Sequence, residues 1–151
     1  MTDIGILIFD GAEELDFVGP FEVFTMARQA AAEFEPKGRG PFEVKLISET
    51  GETIRGAKGM RVGADAAISS VRHLDVLLVP GGEGTRREVD NPKLLEFISR
   101  IAADARWVTS VCTGAMLLTA AGPAKGKRVT THWAYCQQLR DRRIDCWQLD
   151  E

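Results

Sequence analysis

Cysteine is the strongest nucleophile among the natural side chains, and the stretch WVTSVCTGAMLLTAAG (residues 107–122) contains one between two patterned segments. A β-branched run precedes Cys112, and an apolar helical pattern with Gly114 near its start follows it. In a sharp strand-to-helix turn, a small residue lets the helix approach the strand, and the helix N-terminus stabilises a thiolate. The pattern therefore predicts a nucleophile at the turn. The alternative is a small buried apolar residue, as free cysteine often is.

Two other side chains could supply proton chemistry. Asp16, in ELDFVGP, is predicted to lie in the loop before the first long helix. Beside a thiolate, its carboxyl group would be partly protonated and could donate a proton to a reacting carbon, although a helix-entry cap is the alternative. His132 follows a short strand and lies either near the same edge or in a packed hydrogen-bond network. His132 and Cys136 alone do not form a zinc site, so we expect no metal.

A glycine pair follows one of the buried strands. Gly81 and Gly82 stand in DVLLVPGGEGT, where the absence of side chains lets backbone N–H groups approach a substrate. The N–H groups of Gly82 and Thr113 could together form an oxyanion pocket, whereas a simple tight turn is the alternative. The stretch lacks the Gly-Lys-Ser/Thr ending of a phosphate-binding P-loop.

Segments with strand patterns and segments with helix patterns alternate along the chain. Apolar or alternating runs predict strands at Ile4–Phe9, Phe42–Leu46, Asp75–Val79, Trp107–Val111 and Val129–Thr131. Helices are predicted after Gly19-Pro20 (with Pro20 near the first turn), from Asn91-Pro92 with an apolar face of Leu94, Leu95, Ile98 and Ile101, at Thr113–Ala121 and at Trp133–Arg142. Pro36–Pro41 reads as a loop, and Gly51–Asp65 as an irregular excursion or small hairpin.

This alternation predicts an α/β layered domain around a mostly parallel sheet. Ligands of such folds bind at the carboxyl ends of the strands. Asp10-Gly11, Gly81-Gly82 and Cys112 all follow predicted strands, with Trp107–Val111 expected in the core. We therefore expect them to meet at one edge of the sheet.

Composition narrows the function classes. The 151 residues suit one domain, and 44% hydrophobic with 27% charged residues is ordinary for a globular protein. A net charge of −3 gives no basic field for nucleic acid, and no apolar run is long enough for a membrane span or a signal peptide. Three cysteines without CxxC spacing favour reduced thiols in the cytoplasm.

Four motifs in order, GAEELDFVGPFEVF, DVLLVPGGEGT, VTSVCTGAMLLTAAG and GKRVTTHWA, resemble the ThiJ/PfpI family of class I glutamine amidotransferase-like proteins. The resemblance runs from about Ile4 to Tyr135. It is close to the isonitrile (isocyanide) hydratase branch and to the sensory domains of AraC-type regulators. It implies a three-layer, flavodoxin-like α/β sandwich, a small-molecule substrate, no cofactor and a homodimer.

The resemblance also assigns roles. Isonitrile hydratases of this family attack the isonitrile carbon with a cysteine, form a thioimidate and release an N-substituted formamide. Carried over, Cys112 is the nucleophile, Asp16 the general acid/base, and Thr113 positions substrate or water. The Gly82 and Thr113 amides polarise the site, with Gly81, Gly114 and His132 around it.

Several alternatives remain open beside this assignment. A non-catalytic small-molecule sensor and a glyoxalase- or deglycase-like enzyme are the other functions that the resemblance allows. Thr113 stands where peptidase-like members carry histidine, which disfavours a Cys-His pair. Family members normally continue past the THWA helix, so we expect one C-terminally shortened domain over residues 1–151. Its last apolar residues, Ile144, Cys146, Trp147 and Leu149, would begin the first of the missing strands.

Overall fold

The predicted α/β architecture with a mostly parallel sheet is confirmed. The structure is a computed structural model that describes residues 1–34, 42–141 and 146. Its elements in chain order are β1 (Thr2–Leu7), α1 (Glu14–Phe34), β2 (Phe42–Ser48), β3 (Ile54–Arg55), β4 (Arg61–Val62), β5 (Ala66–Ala67), β6 (Val76–Val79), α2 (Thr85–Glu88), α3 (Pro92–Ala102), β7 (Trp107–Ser110), α4 (Gly114–Ala121), a 3₁₀ turn (Trp133–Tyr135) and α5 (Cys136–Asp141). The predicted loop at residues 36–41, and Ile144, Trp147 and Leu149, lie outside the described residues.

One five-stranded sheet organises the described residues. Its order is β5-β2-β1-β6-β7, and every pair is parallel. The central strand β1 pairs with β2 through Ile4↔Val44 and with β6 through Ile4↔Val76. Because neighbours and helices cover β1, its apolar run is buried, as a parallel strand requires.

Helices flank the sheet as a flavodoxin-like fold requires. α1 packs on β1 and β2, whereas α4 packs on β6, β7, α2 and α3. α3 begins where predicted, with the Asn91 side chain accepting hydrogen bonds from the amides of Lys93 and Leu94. Its buried face is Leu94, Phe97, Ile98 and Ile101, so Phe97 joins the predicted set and Leu95 is only half-buried.

The predicted start of α1 is wrong. The helix begins at Glu14 rather than after Pro20, which lies inside it. The acidic Glu14 and Asp16 occupy the first turn, where they complement the helix dipole, and Phe17 is buried in the core. The stabilisation from these residues outweighs the loss of one helix hydrogen bond, because Pro20 has no N–H to donate to the Asp16 carbonyl. Asp16 is thus fixed on a helix rather than carried by a loop.

The predicted strand at residues 107–111 is present as β7, but its predicted place in the core is wrong. β7 pairs with β6 and lies at the edge of the sheet in the described part of the chain. Trp107 is 59% exposed, and the other residues of the strand are half-buried. An apolar run identifies a strand but does not reveal which neighbours it will have.

Smaller elements complete the fold. The 51–65 excursion contains the β3–β4 hairpin, which agrees with the prediction, whereas β5 and α2 were not predicted. The predicted strand at 129–131 is reduced to one parallel bridge between Val129 and Cys146. Over the residues that the structure describes, no helix combines the length and apolar character needed to cross a membrane.

Candidate active site

Cys112 occupies a strained turn between β7 and α4. Its φ is +52°, and within the described ranges it is the one non-glycine residue with positive φ. Side chains rarely adopt this conformation, which costs free energy and is concentrated at functional sites. A Cβ on Gly114 would lie 2.2 Å from the Val79 carbonyl oxygen, so the close approach of helix to strand needs glycine there. The predicted strand, turn and helix are therefore present.

The Cys112 thiol is half-buried and is disfavoured as a thiolate in the resting site. Burial is the largest cause that raises its pKa, and the negative charges of Asp16 and Glu13 raise it further. Hydrogen bonds from the Thr113 amide and hydroxyl to the sulfur act in the opposite direction. The helix N-terminus predicted a lowered pKa. Burial reverses that expectation and favours the neutral thiol.

Asp16 is held in place by the glycine loop. Its Oδ2 accepts a hydrogen bond of 2.9 Å from the Gly81 amide. Burial is the main cause that raises the pKa of the carboxyl group, with a smaller contribution from the charge of Glu13. The Gly81 hydrogen bond and a positive charge on His132 lower it in part. Asp16 therefore binds a proton more readily than an ordinary aspartate.

Gly81 contacts both the Asp16 carboxyl group and the cysteine turn. Its amide binds Asp16, and its carbonyl accepts a hydrogen bond of 2.9 Å from the Glu13 amide. A Cβ on Gly81 would lie 2.5 Å from the Thr113 nitrogen and 2.8 Å from the Cys112 Cβ. The absence of a side chain therefore brings the start of α1 and the cysteine turn against the same residue.

The amide of Gly82 does not have the role predicted for it. It donates a hydrogen bond of 3.0 Å to the Thr113 hydroxyl oxygen and is therefore already bonded within the protein. Gly82 has φ +118°, and a Cβ there would lie 2.4 Å from the Gly11 oxygen. Its backbone is thus packed between two loops. Of the two predicted donors, the Thr113 amide is the one that lowers the pKa of the Cys112 thiol.

The side chain of Thr113 is directed into the protein rather than towards a substrate. The residue is 3% exposed, and its hydroxyl contacts Gly82 and the hydroxyl of Thr85 at 3.2 Å. The predicted positioning of substrate or water by this side chain is therefore replaced by internal hydrogen bonding. Sequence reasoning missed Thr85. The Thr85 hydroxyl donates a hydrogen bond to the carbonyl of Gly82, three residues earlier. Threonine commonly makes this local hydrogen bond, so the spacing could have indicated it.

His132 lies at the exposed side of the site. Its charge affects the Asp16 pKa, while its Nδ1 accepts a hydrogen bond of 3.3 Å from the Ala134 amide. Its ring stacks on Trp133, with centroids 5.5 Å apart. Thr131, which the sequence did not single out, donates a hydrogen bond of 2.9 Å to the Cys112 carbonyl and ties this segment to the turn.

The other cysteines lie apart from this chemistry. Cys136 and Cys146 are buried. Burial, together with a hydrogen bond with Cys136, raises the pKa of Cys146 to about 11. Burial makes both thiols poor nucleophiles, and the raised pKa adds to this effect at Cys146. Cys112 is thus the accessible thiol among the described residues.

The chain is similar to known proteins along most of its length. The DJ-1/PfpI family model matches residues 2–147. An isonitrile hydratase of Pseudomonas putida is 36% identical over 132 residues, which cover 87% of this chain and 53% of that protein. The HTH-type transcriptional regulator GbdR of Pseudomonas aeruginosa is 27% identical over 130 residues, covering 86% of this chain and 34% of the regulator.

A solved structure of a THiJ/PfpI family protein also resembles this chain. A THiJ/PfpI family protein from Pseudomonas syringae superimposes with a TM-score of 0.84 at 25% identity, covering 98% of this chain and 57% of that one. The chain therefore spans about half the length of the isonitrile hydratase and of this structure. With the family model matched along nearly its whole length, the chain belongs to the DJ-1/PfpI family.

Proposed function

We propose that the protein hydrates isonitriles to N-substituted formamides through a thioimidate on Cys112. The observation that carries this proposal is the placement of an acid and a thiol on either side of Gly81, each with a raised pKa. The similarity to an isonitrile hydratase supports the same chemistry. The substrate class rests on that similarity, and the roles of the residues rest on the family resemblance, supported by the contacts that Gly81 makes with Asp16 and with the cysteine turn.

The first step joins the thiol to the isonitrile carbon. Cys112 begins as a thiol, because its pKa is raised, and the Asp16 carboxylate takes up its proton as the sulfur attacks. The sulfur–carbon bond forms, and Asp16 delivers the proton to the same carbon, which gives the thioimidate S–CH=N–R. The raised pKa of Asp16 suits it to hold this proton between the two transfers.

The second step releases the product. Water adds to the thioimidate carbon, the nitrogen gains a proton, and the carbon–sulfur bond breaks to give the formamide. The sulfur regains its proton, so the sum is one isonitrile and one water for one formamide. The Thr113 amide stabilises negative charge on the sulfur in both steps, since it lowers the pKa of that thiol.

A ligand-binding domain without turnover is the second candidate. It is favoured by the match to GbdR, which covers most of this chain. The two functions differ in their dependence on Cys112. Binding alone would survive removal of the thiol, whereas hydration would not.

The test is formamide production from a simple alkyl isonitrile, followed by chromatography. We expect turnover by the wild type and by Cys146→Ala, which removes a buried thiol outside the site. Cys112→Ala should show none. A wild type that binds the isonitrile without turnover, with unchanged binding in Cys112→Ala, would support the sensor. Turnover of methylglyoxal in place of isonitrile would support a glyoxalase- or deglycase-like enzyme.

We also propose that the protein acts as a homodimer. α1, which carries Asp16, exposes four apolar side chains, Leu15, Val18, Val23 and Met26. A second copy packed on this surface would remove them from water. In sedimentation experiments, Met26→Glu should shift the protein towards the monomer. Glu96→Lys, an exposed change on α3, should leave the dimer intact. A wild type that stays monomeric at high concentration would contradict this proposal.

A further inference from the structure

Residues 111–114 form a β-turn whose middle peptide joins Cys112 to Thr113. The Gly114 amide donates a hydrogen bond of 2.9 Å to the Val111 carbonyl and closes the turn. Cys112 has φ +52°, and Thr113 has φ −74° and ψ −1°. A positive φ at the first central residue, followed by a negative φ at the second, is the pattern of a type II′ turn, in which the first position favours glycine. A cysteine there needs contacts from outside the turn to hold it.

Thr131 supplies such a contact from another segment of the chain. Its hydroxyl donates a hydrogen bond of 2.9 Å to the Cys112 carbonyl, 19 residues earlier in sequence. Thr131 is half-buried and lies just before the 3₁₀ turn at Trp133–Tyr135. The carbonyl group of the strained residue is thus held by a side chain that is not part of the turn.

The peptide that carries this carbonyl also carries the Thr113 N–H. No peptide bond is cis in the described ranges, so the Cys112 C=O and the Thr113 N–H point in opposite directions across one rigid plane. A Cβ on Gly81 would lie 2.5 Å from the Thr113 nitrogen and 2.8 Å from the Cys112 Cβ, so both atoms lie against the same residue. A hydrogen bond that fixes the carbonyl therefore also fixes the N–H beside the cysteine side chain.

We propose that Thr131 is a positioning residue, which holds the Cys112 carbonyl and thereby fixes the direction of the Thr113 N–H next to the thiol. The proposal rests on the proposed function only in taking Cys112 as the reacting residue and this N–H as a donor to its negative charge. A hydrogen bond to the carbonyl also polarises the peptide, which makes the N–H a stronger donor. Without the Thr131 hydroxyl, the peptide would be held less firmly and a negative sulfur would be less stabilised.

The experiment measures the pH dependence of Cys112 alkylation by iodoacetamide, with peptide mapping to locate the label. Thr131→Val keeps the shape of the side chain but removes the hydroxyl, and it leaves the carboxylates of Asp16 and Glu13 near the thiol unchanged. At a pH below the pKa of Cys112, we expect a thiolate fraction about twofold to fivefold smaller than in the wild type. Thr131→Ser, which keeps a hydroxyl, should retain the wild-type profile. An unchanged profile in Thr131→Val would overturn the proposal.

This experiment uses no isonitrile, so a failure of the hydratase proposal would not alter its result. NMR of the same variants reports on the peptide itself. The carbonyl ¹³C shift of Cys112 and the amide ¹⁵N shift of Thr113 should both change in Thr131→Val and remain in Thr131→Ser. A change in alkylation without a change in these two shifts would overturn the proposal.

Thr119→Val is the matched control. The Thr119 hydroxyl also donates a hydrogen bond to a backbone carbonyl, that of Ala115 within α4, at 2.8 Å. Its removal costs a hydrogen bond of the same kind but leaves the Cys112 carbonyl untouched. This variant should keep the wild-type alkylation profile, and a shift equal to that of Thr131→Val would overturn the proposal.

His132 follows Thr131 and offers a different explanation of any effect, because its charge lowers the pKa of Asp16. Thr131→Val is therefore also made in a His132→Ala background. If Thr131 acts through the Cys112 carbonyl, the alkylation profile should shift equally in both backgrounds. A shift that disappears in His132→Ala would overturn the proposal. Should Thr131→Val fail to fold, Thr131→Ala provides the same comparisons, because it too lacks the hydroxyl.

Discussion

The Gly81 amide donates a hydrogen bond of 2.9 Å to the Asp16 carboxylate. The same glycine leaves so little room on its other side that a Cβ would meet Thr113 and Cys112. The strained cysteine turn and the first turn of α1 are therefore joined through one residue without a side chain. The spacing between acid and thiol depends on this contact.

Gly81→Ala should disrupt that spacing. The added Cβ would lie 2.5 Å from the Thr113 backbone nitrogen, which cannot move without shifting the cysteine turn. We expect a free energy of unfolding lower by about 1–3 kcal/mol, and formamide production reduced more strongly than folding. Denaturant unfolding and turnover of the folded variant measure the two effects.

Gly63→Ala is the control for this substitution, because no atom lies within 4 Å of the added Cβ. It should leave both quantities near their wild-type values. If Gly81→Ala matches Gly63→Ala in turnover, the spacing role assigned to Gly81 is wrong.

Asp16→Asn should change thiol reactivity and turnover in opposite directions. The negative charge of Asp16 raises the Cys112 pKa, so its removal should lower that pKa and accelerate alkylation at mildly alkaline pH. Formamide production should nevertheless fall by roughly 10²–10⁴-fold, because the group that carries the proton is lost. Alkylation rates and turnover are measured on the same preparation.

Glu13→Gln provides the comparison for Asp16→Asn. Glu13 also raises the Cys112 pKa, but its carboxylate pairs with Lys58 at 2.8 Å. Its removal should accelerate alkylation while turnover is kept. Equal loss of turnover in both variants would show that charge near the thiol, rather than proton transfer by Asp16, controls the rate.

Cys146 should make stability depend on alkaline pH. Its pKa is raised from 9.0 to about 11, so the folded state keeps a proton that the unfolded state releases. The stability contributed by the neutral thiol is full below pH 9.0 and is lost as the pH rises towards about 11. Urea denaturation across this window should show a decline that is smaller in Cys146→Ala. Thr119→Val, which keeps all thiols, should decline as the wild type does; an unchanged decline in Cys146→Ala would contradict the assignment.

The sequence predicted those features of the fold that depend on a few neighbouring residues. The apolar run of β1, the Asn91 cap of α3 and the glycine after Cys112 belong to this group. The start of α1 was missed because Pro20 is typical of a first turn, whereas the burial of Phe17 is a tertiary effect. The edge position of β7 depends on which strands lie beside it, and a single strand carries no such information.

The proximity of several residues of the candidate site was predictable, but their hydrogen bonding was not. Cys112, Asp16 and the glycine pair meet because the carboxyl ends of parallel strands share one edge. The partners of Thr113 are 31 and 28 residues away in sequence, at Gly82 and Thr85. No local pattern connects Thr113 to these partners, which is why its hydrogen bonds with Gly82 and Thr85 were not predicted. The direction of the Cys112 pKa was also missed, because burial is a property of the folded chain.

The covalent state of Cys112 during turnover shows whether a thioimidate forms on this residue. Wild-type protein is mixed with an alkyl isonitrile, quenched in acid within the first turnovers, and mapped by peptide mass spectrometry. If a thioimidate forms on Cys112, the peptide that contains this residue gains one isonitrile mass. Cys112→Ala should give neither adduct nor formamide. Formamide production by Cys112→Ala at the wild-type rate would contradict this mechanism.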